Sequence, residues 1–281
     1  MPFIFDIKKA YAISDDLREI CINIYEICKN ENPYISELFF GETENVTLPV
    51  SDSEASHDIS LPVSDIETSH DISLPVLYYG VSEGNIVGFL SADCYGNGTV
   101  DICGYVLPKY RKLKLMSSLF DSFLTDYDNF YISATLNSKN STGCAILSYL
   151  GFEKKATEYM MKLSFSNTCY KPLPKYVKMS VESFTNNSKC FKFAMFVRDM
   201  SVGNCLVEVF NDKAVCIHDV LIAEEYRGMG YGHKMLESVI SYLSKDFAYA
   251  ILHVSGNNSY AFSLYKKLGF LVVDSAEIYE M

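Results

Sequence analysis

The sequence lacks several patterns that would place it in a specialised class of proteins. It has no apolar run near the roughly 18 residues that a membrane-spanning helix needs. Asp6, Lys8 and Lys9 interrupt the short apolar stretch at the N-terminus, so we expect no signal peptide. The formal net charge of −11 disfavours a surface that binds nucleic acid. We therefore predict neither a membrane nor a nucleic-acid partner.

The cysteines and histidines also lack the spacing of disulfide frameworks and metal sites. The nine cysteines include no C-x-x-C pair, and the five histidines show no H-x-x-x-H or H-E-x-x-H pattern. Scattered cysteines in odd number are typical of reduced, mostly buried thiols in a cytoplasmic protein. We therefore expect a cytoplasmic location and no bound metal.

A short repeat carries most of the net charge. The segment LPVSDSEASHDIS at 48–60 recurs as LPVSDIETSHDIS at 61–73. Residues 42–73 contain eight of the 35 acidic residues and no Lys or Arg, which leaves 27 acidic against 24 basic residues elsewhere. The Ser, Pro and acidic content of the repeat fits neither helical nor strand periodicity, so we expect a disordered or loosely extended loop. The acidity of the chain therefore indicates little about a substrate.

A second, diverged repeat divides the chain into two related halves. Residues 106–111 (VLPKYR) match 222–227 (IAEEYR), where a strand end and a turn lead into an apolar helix. About thirty residues later, 140–152 (NSTGCAILSYLGF) match 258–270 (NSYAFSLYKKLGF) with the same spacing from Asn to Gly-Phe. Agreement at both ends is hard to obtain by chance. We therefore predict two copies of one α/β unit.

The predicted domains are an N-terminal unit at 1–165, a linker at 166–175 and a C-terminal unit at 176–281. Pro172 and Pro174 mark the linker. In the C-terminal unit the patterns predict strands at 190–200, 205–210, 215–222 and 248–254, helices at 228–243 and 259–268, and a last strand from 271. The N-terminal unit has the same order after an extra helix at 15–29, which has no obvious counterpart in the second unit.

The segment 225–236 (EYRGMGYGHKML) carries the strongest chemical signal. Gly228, Gly230 and Gly232 follow a predicted strand and open a predicted helix. Such a turn lets main-chain N–H groups converge on an anion, and the helix N-terminus adds partial positive charge. A pyrophosphate is the expected guest, although a tight strand-to-helix turn uses glycine for its dihedral angles in any case. The segment is neither a Walker loop nor a dinucleotide fingerprint.

Two signature segments stand in a fixed order in the second half. They read R-x-x-G-x-G and N-x₆-Y-x₃-G-F, and their residues are Arg227, Gly230, Gly232, Asn258, Tyr265, Gly269 and Phe270. Over about 215–273 this arrangement resembles the GCN5-related N-acetyltransferase (GNAT) superfamily, and 84–165 resemble the same family. The resemblance implies tandem α/β units, each with a mixed, mostly antiparallel central sheet flanked by helices. It also implies acetyl-CoA as co-substrate.

The resemblance further implies a role for each matched residue. The main-chain amides of the turn would hold the acetyl-CoA pyrophosphate; the residues are Arg227, Gly228, Met229, Gly230, Tyr231 and Gly232. Val220, Leu221 and Ile222 would pair with the pantetheine arm, and one N–H there would polarise the thioester carbonyl. Asn258 would bond to the cofactor near its acyl end, cap the following helix, or do both. Tyr265 would protonate the leaving thiolate, unless it is an ordinary core residue.

An amine acceptor must lose a proton before it attacks, so we expect a general base on the central strands. His218 is the first candidate, and Glu225 is a poorer one because it lies in the turn. We expect His218 and Asp219 to point to opposite faces of their strand; a core histidine with satisfied hydrogen bonds is the alternative interpretation. Cys216 on the same strand would allow an acyl-enzyme route, but no adjacent base is evident. Direct transfer is preferred.

The first unit departs from the pattern where the cofactor would bind. Lys114 and Met116 replace two glycines, and we expect their side chains to crowd a pyrophosphate and remove the permissive backbone. Leu147 occupies the position that matches Tyr265, so no acid for the thiolate is available there. We predict a catalytically silent N-terminal unit. Its basic residues attract phosphates or form a solvated face; they are Lys109, Arg111, Lys112 and Lys114.

Two classes of function remain open from the sequence. The first is an acetyl-CoA-dependent N-acetyltransferase, active in the C-terminal unit, that transfers acetyl directly to a primary amine of a small molecule or peptide. The second is a non-catalytic acyl-CoA-binding or regulatory module, against which Asn258 and Tyr265 argue. Acyl transfer from a longer acyl donor is a further option. The sequence indicates neither the acceptor nor the oligomeric state.

Overall fold

The computed structural model describes residues 5–36, 38, 75–95, 98–165, 173–183 and 190–281. The chain divides into two compact units. Unit 1 comprises 1–155 together with 277–281, and unit 2 comprises 156–276. The acidic repeat at 42–73 and most of the expected linker lie outside the described residues.

Unit 1 places a sheet between helices. In chain order its elements are β1 (Asp6–Ala10), α1 (Asp15–Glu31), β2 (Val76–Ser82), β3 (Asn85–Cys94), β4 (Thr99–Val106), α2 (Leu115–Tyr127), β5 (Tyr131–Asn137), α3 (Ser141–Tyr149) and the start of β6 (Glu153–Ser164). The strands lie in the order β1-β2-β3-β4-β5, antiparallel except for the parallel pair β4–β5. Ile132 of β5 exchanges two main-chain hydrogen bonds with Met281.

Each face of the unit 1 sheet buries apolar side chains of a helix. The helix α1 begins at its cap Ser14, whose hydroxyl accepts from the Leu17 N–H. Its Cys21 and Ile24 pack with Phe89 of β3 in one cluster. The opposite cluster contains apolar residues of α2 and the sheet, among them Leu119. Fully burying an aliphatic or aromatic side chain contributes about 1.5–3 kcal/mol, so both faces stabilise the unit.

Unit 2 repeats this plan without a counterpart of α1 among the described residues. Its elements are the remainder of β6, then β7 (Val177–Ser183), β8 (Cys190–Val197), β9 (Met200–Asn211), β10 (Ala214–Ile222), α4 (Tyr231–Leu243), β11 (Tyr249–Ser255), α5 (Ser259–Lys267) and most of β12 (Leu271–Glu280). The strands lie in the order β12-β6-β11-β10-β9-β8-β7, and β10 and β11 are parallel. The predicted apolar stripe of α4 is fully buried; it comprises Met235, Leu236, Val239, Ile240 and Leu243.

The predicted strand at 190–200 is wrong in one respect. The chain turns at Arg198 and Asp199, whose φ angles are +49° and +66°, and β9 starts directly afterwards at Met200. Two consecutive residues with positive φ are typical of the two-residue turns that match the twist of an antiparallel hairpin. Neither position is Gly or Asn, the residues that usually mark such a turn. The run of apolar residues therefore predicted one continuous strand.

The strand β6 places the boundary between the units earlier than 165. Seven of its residues, from Glu158 to Ser164, pair with β11 of unit 2. Met161 and Leu163 lie in the core of unit 2. The sequence offered no sign of this pairing, because a strand's partner is chosen by non-local contacts. The domain bounds at 165 and 176 therefore remain a prediction that differs from the observed compact units.

The described residues contain no cluster of three or more metal-ligating side chains. Nor does any helix in the described ranges have the length and apolarity that a membrane span requires.

Candidate active site

An opening between two parallel strands is the central feature of unit 2. The strands β10 and β11 pair over three residues, up to Cys216 opposite Ile251. Each then continues beside its other neighbour, β10 along β9 to Ile222 and β11 along β6 to Ser255. The predicted pantetheine-binding residues lie on the separated part of β10; they are Val220, Leu221 and Ile222. One main-chain edge of β10 therefore faces the opening.

The glycine-rich turn adjoins the end of β10. The Arg227 Nε donates to the Ile222 carbonyl at 3.0 Å, so Arg227 ties the turn to the strand. Gly228 and Gly230 have φ angles of +75° and +78°, which glycine adopts without strain. A Cβ on Gly232 would stand 3.4 Å from Leu264 Cδ2 and 3.5 Å from Ile222 Cγ1. The first turn of α4 thus lies against both β10 and α5.

The N-terminus of α4 carries no side-chain cap. Gly230 is the N-cap residue and provides no side-chain acceptor, and the first turn contains no acidic residue. The first amides of a helix have no acceptor within the helix. These amides, with the helix dipole behind them, form a place where an anion is stabilised. The predicted turn residues Arg227 to Gly232 include this uncapped helix N-terminus.

Asn258 caps α5 at the end of β11. Its Oδ1 accepts from the Ala261 N–H at 3.1 Å. Asn140 has the same position in unit 1, where its Oδ1 accepts from the Gly143 N–H at 3.0 Å. The capping role expected for Asn258 is thus observed in both units. Its side-chain N–H groups are not used in that bond.

Tyr265 lies on α5 and is buried in the core of unit 2. Its side chain is 6% exposed, and its ring packs edge-on against Phe270 at 5.9 Å between centroids. Burial raises the pKa of Tyr265 to about 12, and the nearby Cys205 adds to the shift. The phenol therefore stays protonated at neutral pH, which is the form that can donate a proton.

The strand β10 contains a bulge that the sequence did not reveal. Its register with β9 shifts between His218 and Leu221, and Asp219 has a φ of +51°. A non-glycine residue in this conformation costs roughly 1–2 kcal/mol. The bulge brings the Asp219 Oδ2 to 3.4 Å from the His218 Nδ1. The expectation that these side chains point to opposite faces is therefore wrong, because it assumed regular strand alternation.

A second histidine, which the sequence analysis did not single out, lies on the other side of the opening. Ala250, Leu252 and Val254 of β11 face the core of unit 2, so the alternating His253 faces away from it. His218 has the same orientation on β10, because Val215 and Ile217 of β10 lie in that core. His253 lies two residues beyond Ile251, and His218 lies two residues beyond Cys216, its partner in the last parallel pair. This equivalent position is the signal that could have identified His253.

The two imidazole rings share an unusual environment. The Nε2 atoms of His218 and His253 are both buried, with no hydrogen-bond partner among the described residues. Burial lowers the pKa of His253. A neutral imidazole nitrogen without a donor is a competent proton acceptor. Glu225, the poorer base candidate, is exposed in the turn after β10.

Unit 1 keeps the backbone of the glycine-rich turn although it lacks the glycines. Lys112 and Lys114 have φ angles of +62° and +65°, matching Gly228 and Gly230. The Arg111 Nε donates to the Val106 carbonyl at 3.0 Å, as Arg227 does to Ile222. The expected loss of the permissive backbone is therefore wrong. The conformation persists and the lysines carry its strain.

Side chains fill the corresponding opening in unit 1. The pair β4–β5 also separates after three residues, at Asp101 opposite Ser133. Met116 lies over Gly104 on the separated part of β4, and Leu147 stands where unit 2 has Tyr265. The cavity that remains is about 110 Å³ and is lined mainly by apolar groups. That is smaller than the roughly 150 Å³ that admits a benzene-sized ligand.

The sequence of unit 2 matches a known family along most of its length. Residues 166–270 fit the model of the acetyltransferase (GNAT) family. This part of the chain is therefore similar to the GNAT superfamily. A curated relative, the probable N-acetyltransferase san of Drosophila melanogaster, is 37% identical over 71 residues. The match spans 25% of this chain and 39% of that relative, so it covers well under half of the relative's length.

Solved GNAT structures share the fold. A GCN5-related N-acetyltransferase from Sphaerobacter thermophilus aligns with a TM-score of 0.57 at 15% identity, over 74% of this chain and 80% of that one. A tandem GNAT protein from the clavulanic acid biosynthesis pathway aligns with a TM-score of 0.56 at 12% identity, over 74% and 82%. At such identities the likeness concerns the fold alone. The predicted mixed α/β GNAT fold is confirmed.

Proposed function

We propose that this protein is an acetyl-CoA-dependent N-acetyltransferase in which unit 2 transfers acetyl directly to a primary amine and unit 1 is silent. The observation that carries the proposal is the opening between β10 and β11. The uncapped N-terminus of α4 adjoins one side of it, and unpartnered histidine nitrogens line its face away from the core. The family supplies acetyl-CoA as co-substrate, and acetyl-CoA supplies an activated acetyl thioester.

The groups that would hold acetyl-CoA are main-chain groups. The amides of the turn at 227–232 suit the pyrophosphate, because α4 begins there without an acidic residue. The edge of β10 from Val220 to Ile222 suits an extended amide-containing arm, since it has no β11 partner. An N–H on that edge would stabilise the oxygen of the thioester carbonyl as charge develops on it. A longer acyl donor would use the same groups.

Tyr265 is the acid of the proposed reaction. It would donate its phenolic proton to the sulfur as the carbon–sulfur bond breaks. Its pKa near 12 keeps it protonated, while the thiolate that receives the proton is destabilised by the same loss of water. Desolvation thus raises the proton affinity of the sulfur as well as that of the phenolate. To act as the acid, Tyr265 must be protonated before the reaction, and the sulfur must come within hydrogen-bonding distance of its phenol.

The proposed base is an imidazole on the face of the opening. His218 on β10 and His253 on β11 each present a buried Nε2 without a donor. Either nitrogen would take the proton that the amine loses when it forms the bond to the acetyl carbon. Primary amines have pKa values near 10, so an acceptor that binds as ammonium must first give up a proton. A neutral imidazole accepts it.

Direct transfer is favoured over an acyl-enzyme. Burial, with Glu208 nearby, raises the pKa of Cys216 to about 11. The thiolate is the nucleophilic form of cysteine, so this thiol is a poor nucleophile at neutral pH. Cys205 is buried with a pKa of about 12 and is equally inert.

The proposed silence of unit 1 rests on its side chains. Met116 lies over Gly104 at the position where an extended arm would run, and Leu147 offers no proton. The lysines at 112 and 114 add positive charge near the turn, but this charge does not create the space that the cofactor would need. Unit 1 therefore keeps the frame of a cofactor site without its space or its acid.

The test is an assay of the full chain with acetyl-CoA and a panel of primary amines, small molecules and peptides, followed by release of free thiol. We expect a thermal shift with acetyl-CoA alone and thiol release with at least one amine. Tyr265→Phe should bind acetyl-CoA normally and lose roughly 10²-fold in turnover. The matched control Tyr242→Phe, on the exposed side of α4, should be unaffected. Binding without any turnover would favour the regulatory module; no binding would contradict both.

A further inference from the structure

The bulge in β10 separates two functional segments of one strand. His218 precedes it and the residues 220–222 follow it, and Asp219 alone has the left-handed conformation within β10. In unit 1 the pairing of β3 with β4 runs without a shift from Gly88 opposite Val106 to Cys94 opposite Val100. The extra residue therefore belongs to the unit that keeps the glycine-rich turn and the tyrosine. Strained backbone conformations concentrate at functional sites.

The bulge gives the imidazole ring of His218 two different edges. On one edge the Nδ1 lies 3.4 Å from the Asp219 Oδ2. On the other, the Nε2 is buried and has no partner among the residues that the structure describes. In a regular strand the next residue points to the opposite face, and no carboxylate of position 219 would reach the ring. The left-handed φ of Asp219 is what brings the carboxylate to the Nδ1 edge.

The neighbouring strands β8, β9 and β11 carry the other titratable groups near His218. His253 lies across the opening on β11, with a lowered pKa caused by burial. On β10 itself, two residues earlier, Cys216 has its Cα opposite Glu208 of β9. Leu206 stands opposite His218 on β9, and Lys192 of β8 stands opposite Leu206. Asp219 brings its carboxylate Oδ2 to 3.4 Å from the ring Nδ1.

We propose that Asp219 is a positioning residue for the base of the reaction. Its carboxylate accepts a hydrogen bond from the Nδ1–H of neutral His218 and so keeps the proton on Nδ1. The lone pair then resides on Nε2, the nitrogen that faces the buried side. This inference rests on the proposed acetyltransferase activity, and it assigns the base to His218 rather than to His253.

The proton transfer balances without a further reactant. As the amine nitrogen forms its bond to the acetyl carbon, one N–H proton passes to the His218 Nε2. The ring becomes an imidazolium whose charge the Asp219 carboxylate stabilises. After the product leaves, the Nε2 proton passes to water that enters the opening, and the Nδ1–H form of neutral His218 is restored. The proton that Tyr265 gives to sulfur is a separate one, and the phenolate regains a proton from water when the thiol product leaves.

The test compares Asp219→Asn with a matched substitution in the full chain. Asp199→Asn is the control, because Asp199 is also a left-handed, exposed aspartate but lies in the hairpin between β8 and β9. With the best amine from the panel, Asp219→Asn should lower kcat by about 10- to 100-fold and leave the KM for acetyl-CoA unchanged. Asp199→Asn should change neither. Unchanged kcat in Asp219→Asn would overturn the proposal.

A second measurement does not depend on turnover. Nitrogen-15 NMR of the imidazole rings, assigned with His218→Gln, reports which nitrogen of neutral His218 carries the proton. We expect the Nδ1–H form in the wild type and a mixture of forms in Asp219→Asn. The Nε2–H form in the wild type would overturn the proposal even if turnover fell. Absence of turnover with every amine would instead defeat the proposed function, while the tautomer would still decide the role of Asp219.

Discussion

The side chain of Met116 lies directly over Gly104 in unit 1. Its Cε stands 2.8 Å from the position that a Cβ on Gly104 would occupy. Met116 matches Gly232 of unit 2, where no side chain extends from this position and a Cβ would make only ordinary contacts with Leu264 and Ile222. One side chain thus distinguishes the two turns, although their backbones have the same conformation.

Gly232→Met should transfer the block to unit 2. A Cβ at Gly232 would make ordinary contacts of 3.4 and 3.5 Å, so we expect the variant to fold. The rest of the methionine would enter the opening. Acetyl-CoA affinity should fall at least about tenfold, equivalent to ~1.4 kcal/mol, as measured by titration calorimetry. Met116→Leu is the control and should leave affinity unchanged. Normal affinity in Gly232→Met would place the cofactor elsewhere.

Lys112→Gly should stabilise the chain. Lys112 is exposed and has a φ of +62°, a conformation that costs a non-glycine residue roughly 1–2 kcal/mol. Glycine removes that cost but adds about 0.5–1 kcal/mol of backbone entropy to the unfolded state. The net gain in the free energy of unfolding should be about 0.5–1 kcal/mol in urea titrations. Lys109→Gly, in the preceding 3₁₀ turn, lacks this strain and should destabilise; equal effects would contradict the assignment of strain to Lys112.

Asp93→Asn should change how stability depends on pH. Asp93 lies opposite Asp101 across β3 and β4, and burial with the neighbouring carboxylate raises its pKa to about 7. Its unfolded pKa is near 3.9, so between about pH 4 and 7 the folded chain holds a proton that the unfolded chain releases. Wild-type stability should therefore fall as pH rises through this window.

Asparagine has no such proton to lose. At pH 8 Asp93→Asn should be more stable than the wild type by roughly 1–3 kcal/mol, and at pH 4 the two should be similar. Thermal melts across pH 4–8 measure the difference, and Asp121→Asn on the exposed side of α2 is the control. A pH-independent difference would show that Asp93 titrates normally.

A fragment of residues 176–281 should fail to fold cooperatively. It lacks β6, which pairs with β11 over seven residues and places Met161 and Leu163 in the core of unit 2. Losing Met161, Leu163 and Phe165 alone removes about 5–9 kcal/mol of burial, comparable with the whole stability of a domain. A fragment of 153–281 restores the strand and should regain a cooperative urea transition. Cooperative unfolding of the shorter fragment would show that β6 is dispensable.

The sequence predicted the parts of the site that depend on local pattern. The helices α4 and α5, the glycine-rich turn and the capping Asn258 follow from periodicity, turn chemistry and spacing, and each is present. The bulge at Asp219 was not predictable, because Asp in a strand has no local mark and the extra residue appears only against β9. His253 was missed for a related reason: its importance depends on the parallel register of β11 with β10.

The lysine-bearing turn of unit 1 shows why substitution patterns mislead. Glycine at positive φ is a preference of about 1–2 kcal/mol, which tertiary packing can override. Arg111 holds the turn to Val106 as Arg227 holds its counterpart, and it also forms an ion pair with Glu31 of α1. The absence of the glycines therefore led to the prediction of a different backbone in unit 1. The structure shows the same backbone conformation with different side chains.

The two main-chain hydrogen bonds between Ile132 and Met281 bear on the order in which the two units complete their folding during synthesis. Residues 277–281 complete the sheet of unit 1, yet a ribosome makes them after every residue of unit 2. During synthesis one edge of β5 therefore lacks its hydrogen-bonding partner until the C-terminal strand β12 has left the ribosome. Unit 1, although first in the chain, is the last to be closed.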